Sequence, residues 1–183
     1  MNSVESVESV ESVESVESGD FVESVHAKPI QQGVALAQVW FDDVVPGASL
    51  RAGPHRVTRE DIIEFASRWD PFPFHIDEVA AAATPLGGLF ASGIHTLAIK
   101  QLLVHRLPIL ESAVASLGYD ELRFAKAVRP GAELTLVWTW GERRESRSQP
   151  DRGIVKAAVR LEQADGVPVL TYNDTVMMLK RGA

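Results

Sequence analysis

The sequence predicts an α+β fold in which an antiparallel sheet wraps around one buried helix. Three observations carry that expectation. Residues 92–107 read as a helix whose apolar side chains cover most of its circumference, and such a helix belongs in a core. The last third of the chain alternates apolar and polar residues with period two, in runs separated by turn signals. A second helical stripe lies between residues 58 and 69. Strand, helices and then an antiparallel meander is the order of a sheet folded over a helix.

The chain opens on five copies of Ser-Val-Glu, from Ser3 to Glu17. A period of three keeps no apolar stripe on a helix and no constant face on a strand. With like charge at every third residue, the repeats predict a disordered acidic tail over residues 1–28, an extension the rest of the chain can dispense with. That tail carries most of the formal charge of −7: its seven acids face only Lys28, whereas the remaining residues carry 18 acids against 17 bases. The body, residues 29–183, is therefore nearly neutral, reads as a single domain, and shows no basic footprint for nucleic acid.

Within the body, "VALAQVWF" at 34–41 predicts a strand and Pro46-Gly47 a turn, followed by the short extended piece "SLRAGPHRV". Thr58 opens a helix with Asp61 at capping-box spacing, and Ile62, Phe65, Ala66 and Trp69 form its apolar face. Pro71 ends it. Residues 77–83 predict a second, short helix with Asp77 as its N-cap, broken by Gly87 and Gly88. The central helix starts near Ser92 and runs to about Leu107. Strands follow in "AELTLVWTW", "RGIVKAAVRLE" and "VPVLTYNDTVMML", with turns at Pro130-Gly131, "QPDRG" and Asp165-Gly166 between them. A single curved sheet leaves an edge or face wanting a partner, so a homodimer is expected.

Composition narrows the chemistry. With 45% hydrophobic residues the chain can bury a sizeable core, yet no apolar run is long enough to span a bilayer. The absence of cysteine excludes disulfides, thiolate metal sites and a cysteine nucleophile. The first residues lack the apolar run of a secretory signal, and a cytoplasmic location is expected.

The stretch "DPFPFHID", residues 70–77, holds Asp70 and His75 five positions apart between two prolines. The prolines bias Asp70 and Phe72 toward extended backbone, so the acid and the imidazole are held in a fixed relation. Such a pair can hold and deprotonate one water. Trp69, Phe72 and Phe74 are expected to keep it dry. The same residues also fit a plain turn opener leading into a helix capped by Asp77. Further on, "GGLFASGIHT" places Gly93 in the first turn of the central helix, where N–H groups lack intrahelical acceptors and the dipole is positive. Gly93 N–H is thus a candidate oxyanion donor, or else a glycine required only for close packing.

Taken together, "EFASRWDPFPFHIDEVAAAA", "GGLFASGIHTLA", "LRFAKAVRPGAEL" and "SRSQPDRGIV" resemble the MaoC-like dehydratases, relatives of the (R)-specific enoyl-CoA hydratases, over about residues 38–180. Phe65 matches the aromatic of the hydratase motif, Asp70 its acid, Pro73 its proline, His75 its histidine and Ala81 its small residue. Trp69, Phe72 and Phe74 stand where the motif has glycine, asparagine and an aliphatic residue. The resemblance implies a hot-dog fold around the helix at 92–107, and homodimers with sites near the subunit interface. It implies reversible syn hydration of a trans-2-enoyl thioester to the (R)-3-hydroxyacyl product. Asp70 and His75 would share the water, and Gly93 N–H would stabilise the enolate oxygen. The implied substrate is an acyl-CoA or carrier-bound thioester of fatty acid metabolism, and no metal or redox cofactor is called for.

Two other readings stay open. A hot-dog thioesterase often uses a carboxylate on the central helix, but "GIHTLAIKQLLVHRL" has none. A non-catalytic acyl-thioester binding module would follow if Trp69 and Phe72 closed the site. Of the other histidines, His26 falls in the tail, His55 in a loop and His105 at the far end of the central helix. His95, one turn into that helix, reads either as facing the site or, more simply, as a satisfied core or interface residue, and no spacing suggests a metal site. Arg143, Arg144, Arg147 and Arg152 read as solvated hairpin residues.

Overall fold

In the computed structural model, which describes residues 37–183, Thr58 caps the first helix from both directions. Its hydroxyl accepts the Asp61 N–H at 3.0 Å, and the Asp61 carboxylate accepts the Thr58 N–H at 3.1 Å. The resulting helix, α1 (Arg59–Trp69), buries Ile62 and Ala66 and stops at Asp70, before Pro71. Pro73 then starts a one-turn helix, α2 (Pro73–Ile76), that the sequence reading left unassigned. Asp77 caps α3 (Glu78–Ala82) by accepting the N–H groups of Val79 and Ala80. The central helix, α4 (Gly93–Val104), is capped by Ser92 and ends one turn before the expected Leu107.

Among the described residues five strands form one antiparallel sheet: β1 (Ser49–Arg56), β2 (Ala113–Phe124), β3 (Glu133–Glu145), β4 (Arg152–Gln163) and β5 (Pro168–Leu179), in the order β1-β3-β4-β5-β2. The expected alternation in β3 and β4 is the observed one. Leu134, Leu136, Trp138 and Trp140 point inward beside Val155, Ala157, Val159 and Leu161, and α4 lays Ile99 and Leu103 on that face. This is the hot-dog arrangement, a curved sheet around a helix. The Gly153 backbone lets the Phe41 ring lie against β4, where a Cβ would sit 2.1 Å from a ring carbon.

Three expectations need correction. The strand expected at 34–41 is absent from its described part: residues 37–40 are irregular and Phe41–Asp43 is a 3-10 turn. There the Asp43 carboxylate accepts the Trp40 N–H at 2.9 Å and Arg143 donates to the carbonyls of Phe41 and Asp42, so local polar bonds outweigh β-propensity. Strand β2 was not expected, because its register against β5 breaks at three places and its alternation is lost. Finally, α4 is not buried all round: Ile94 is 55% and Leu102 47% exposed. The repeat tail over 1–28, with His26, and residues 29–36 lie outside the described residues. Among the described residues no helix is long and apolar enough to cross a membrane.

Candidate active site

Asp70 and His75 are set by successive turns of backbone. The Asp70 N–H donates to Ala66 O at 2.9 Å, Phe72 N–H to Asp70 O at 2.8 Å, and His75 N–H to Phe72 O at 2.8 Å. Asp70, Phe72 and His75 are thus each tied to a residue a few positions earlier, and Pro71 and Pro73 restrict the backbone between them. The imidazole is buried, with the edges of its ring against Phe74 at 4.6 Å and Phe90 at 4.7 Å between centroids.

One hydrogen bond decides the tautomer. His75 Nδ1 lies 2.8 Å from Phe90 O, a carbonyl that can only accept, so Nδ1 carries the proton. In the neutral ring Nε2 is then a bare acceptor, and it faces Asp70 Oδ2 at 4.0 Å. That is too long for a direct hydrogen bond. Two acceptors at this separation match the two O–H groups of a single water, with about 2.8 Å on either side.

A second layer holds Phe90. The Arg129 guanidinium donates to the carbonyls of Leu86, Gly88 (2.5 Å) and Leu89 (3.2 Å) and lies over the Phe90 ring. Gly88 N–H donates to Ala81 O at 3.0 Å, and Ala91 N–H to Val128 O at 2.9 Å. The loop that orients His75 is therefore fastened to α3 and to the segment before β3. Sequence reasoning did not find Arg129 or Phe90. Arg129 makes its contacts across about forty positions and Phe90 meets His75 across 15, and only the Pro130-Gly131 turn signal hinted that Arg129 sits at a fixed place.

Gly93 follows Phe90 by three residues, so His75 is anchored to the segment that enters α4. Ser92 Oγ accepts the His95 N–H at 3.2 Å, leaving the Gly93 N–H without an intrahelical acceptor. A Cβ on Gly93 would come within 2.9 Å of the Phe124 ring, which lies over the first turn from the end of β2. A side chain here would require the half-exposed Phe124 ring to shift. Asp70 at the end of α1 and His75 in α2 thus face each other, with His75 tied to the segment that leads into α4.

The expected shielding differs. Phe74 stacks on Phe90 beside His75 and Phe72 stacks on Phe74, but in the single chain Trp69 is 60% and Phe72 56% exposed. Two depressions border the region. One of about 430 Å³ is lined by Glu78, Gly88 and Arg129. The other, about 380 Å³, runs between α1 and α4 past Phe65, Trp69 and His95. His95 is not the satisfied core residue expected: it stacks on Phe65 at 4.5 Å and its buried Nδ1 has no partner. Burial pushes its pKa below the ordinary histidine value. His55 lines the same groove and His105 caps α4. Arg143 and Arg152 are engaged by backbone carbonyls and by Asp151. Among the described residues no three His, Asp or Glu side chains are grouped to hold a metal.

The family model of the MaoC like domain matches residues 42–162. The uncharacterized protein YdeM of Bacillus subtilis (strain 168) is 31% identical over 97 residues, covering 52% of this chain and 69% of that protein. A crystal structure of a MaoC-like dehydratase from Rhodospirillum rubrum superposes with a TM-score of 0.74 at 34% identity, over 79% of this chain and 99% of the other. An (R)-hydratase from A. caviae involved in PHA biosynthesis gives 0.59 at 25% identity, over 74% and 97%.

Proposed function

The chain belongs to the MaoC-like domain family, and on that premise we propose that it is a hydro-lyase adding water reversibly to a trans-2-enoyl thioester, with Asp70 and His75 as the catalytic pair. The observation that carries this reading is the facing of His75 Nε2 and Asp70 Oδ2 across 4.0 Å, with the Nδ1 proton committed to Phe90 O. Both groups accept hydrogen bonds and neither donates to the other. A water that donates to each presents its oxygen lone pairs to the substrate. As that oxygen bonds to C3, the pair takes the water proton, and the C2–C3 π electrons move toward the thioester carbonyl. The negative charge on that oxygen falls to the Gly93 N–H, at the positive end of α4. The pair then returns a proton to C2 on the same face, and both groups regain their starting state. This chemistry calls for no metal or redox cofactor, with CoA or a carrier as the substrate's handle.

The test follows enoyl-thioester absorbance and free thiol together, using trans-2-hexenoyl-CoA. Hydration consumes the double bond and releases no thiol, whereas a thioesterase releases thiol. Asp70→Asn and His75→Ala each lower kcat by about 10²–10⁴ while the melting midpoint stays close to wild type. Full activity in either variant excludes the assigned roles.

A homodimer fits the same reading. Among the described residues β2 has no strand on its outer side in the sheet order, and it carries exposed Val114 (45%), Leu117 (53%) and Phe124 (51%). An unpaired apolar edge invites a second copy. Light scattering on the full chain should give twice the monomer mass, and Leu117→Glu should return it to the monomer. A monomeric wild type rules the dimer out.

A further inference from the structure

The loop that carries Phe90 has little in its own backbone to fix it. Residues 83–92 form neither helix nor strand. Gly87 and Gly88 stand at φ +64° and +134°, and glycine backbone has the most freedom to lose on folding. Gly88 N–H is tied to Ala81 O and Ala91 N–H to Val128 O. Between those two ties, Leu89 and Phe90 make no backbone–backbone hydrogen bond among the described residues. One side chain takes the place of that missing ladder. Arg129 donates from Nη1 to Gly88 O at 2.5 Å and to Leu89 O at 3.2 Å, and from Nη2 to Leu86 O. Its guanidinium carbon lies 5.7 Å from the centre of the Phe90 ring. Glu78, which borders the same depression, is taken by Arg59 at 2.6 Å, so the Arg129 donors are left to the loop.

The carbonyls of this loop serve two different partners. Those of Leu86, Gly88 and Leu89 turn to Arg129, and that of Phe90 turns to His75 Nδ1 at 2.8 Å. The peptide that joins Leu89 to Phe90 is planar, so clamping its oxygen sets where Phe90 begins, and the guanidinium over the ring limits how Phe90 can turn. Without the clamp the Phe90 carbonyl is free to drift. A buried Nδ1–H that loses its acceptor is costly. The neutral ring escapes that cost by carrying its proton on Nε2, where the neighbour is the Asp70 carboxylate, 4.0 Å away. In that tautomer His75 donates to Asp70 in a charge-assisted bond. The pair then closes on itself, and the two facing acceptors that would hold a water are gone.

We propose that Arg129 is a positioning residue for the hydration step: by clamping the loop at Leu86, Gly88 and Leu89 it holds Phe90 O against His75 and keeps the imidazole in the Nδ1–H form. The proposal rests on the hydratase reading, in which Asp70 and His75 accept from one water. Arg129 acts through Phe90 and is assigned no contact with substrate. A planar guanidinium with five fixed donors can meet three carbonyls at once, whereas the point charge of a lysine cannot hold all three in place. Productive geometry tolerates errors of about 0.5 Å, and a misplacement of about 1 Å from a remote change can lower a rate by about 10². A glycine loop released from its clamp is a source of errors of that size.

The experiment uses the full chain with nitrogen-labelled imidazoles, read by NMR, beside turnover of trans-2-hexenoyl-CoA. The His75 resonances are identified as those lost in His75→Ala. Wild type should show His75 protonated on Nδ1 and bare on Nε2. In Arg129→Ala the Nε2–H form should appear, kcat should fall by about 10² and KM should stay within about threefold of wild type. Added ethylguanidinium, but not ethylammonium of equal charge, should restore both the tautomer and most of the lost rate. Arg129→Lys, the milder change, should fall between wild type and Arg129→Ala in both readouts, and it carries the test if Arg129→Ala does not fold. An unchanged His75 tautomer, a raised KM at unaltered kcat, or a loss of kcat no larger than the unfolded fraction overturns the proposal. The tautomer readout needs no turnover, which separates the clamp from the reading beneath it. A tautomer change in a chain whose wild type does not hydrate the ester sinks the hydratase alone. Hydration that persists undiminished in a folded Arg129→Ala sinks the positioning role alone.

Discussion

Helix α4 buries two basic side chains, His95 toward α1 and Lys100 toward β2, and the fold treats them in opposite ways. His95 lies flat on Phe65 with an unpartnered Nδ1, and burial drives its pKa down, with Asp61 opposing that shift and His55 reinforcing it. Lys100 is surrounded by polar and π-rich groups: a phenol, an amide oxygen, two aromatic rings and the charge of Asp174. The reference values explain the contrast. An imidazole titrates at about 6.5 and sheds its proton at little cost near neutral pH, whereas an ammonium at about 10.4 does not. A buried histidine can be accommodated by discharging it, while a buried lysine needs an environment built for its charge.

Breaking the Lys100 side gives the largest expected effect. Lys100→Met fills the volume but removes the cation whose charge favours the ionised form of the buried Asp174, with which it makes no direct ion pair. Burial already holds the Asp174 carboxyl above the ordinary carboxylate value, and its Ser116 hydrogen bond and Lys100 both oppose that shift. Without Lys100 its pKa rises further. The unfolded chain loses this proton near pH 4 and the folded chain keeps it to higher pH, so stability falls as pH rises between the two. Urea midpoints for Lys100→Met should therefore drop more at pH 8 than at pH 5. Adding Asp174→Asn should recover most of the loss. A pH-independent loss, or no recovery in the double variant, would mean that Lys100 packs there as a mere aliphatic stem.

The two faces of α4 also show what the sequence makes legible. The local placement of Asp70 at the end of α1 and of Gly93 in the first turn of α4 could be read because proline spacing and helix capping are local, and the structure ties His75 to the carbonyl three residues before Gly93. The meander of β3, β4 and β5 could be read because one face is buried and the period is two. Strand β2 could not, since its bulges erase the alternation, and Glu121 in the last of them has a positive φ. Arg129 escaped because its partners lie about forty positions away. Lys100, Tyr172 and Asp174 left a faint signal: each occupies an inward position in an otherwise apolar pattern, a place where charge or hydroxyl must be satisfied. The drying role expected of Trp69 and Phe72 failed for a simpler reason. Aromatic character says that a side chain wants cover, and a single chain covers those two only in part, with Arg68 over Trp69 and Phe74 against Phe72.

Sharpening the His95 side needs the smallest change. His95→Phe keeps the stacking on Phe65 and removes both the orphan nitrogen and the titration, so at pH 8 the variant should be more stable by about 1 kcal/mol. The pH dependence has a definite sign. Above about 6.5 both the folded and unfolded chains hold the ring neutral and it contributes no slope. As pH falls through that value the unfolded chain takes up a proton that the buried ring refuses, so wild type loses stability until the lower folded-state pKa is reached. Asp61, whose carboxyl is itself held low chiefly by the Thr58 hydrogen bond, partly offsets this by attracting the proton, and His55 opposes it. The gap between variant and wild type should therefore widen from pH 8 to pH 5.5, read as the difference in urea midpoints. A gap that stays constant would place the ring's contribution in packing alone, and a gap that narrows would mean that His95 is charged in the folded chain, erasing the contrast with Lys100.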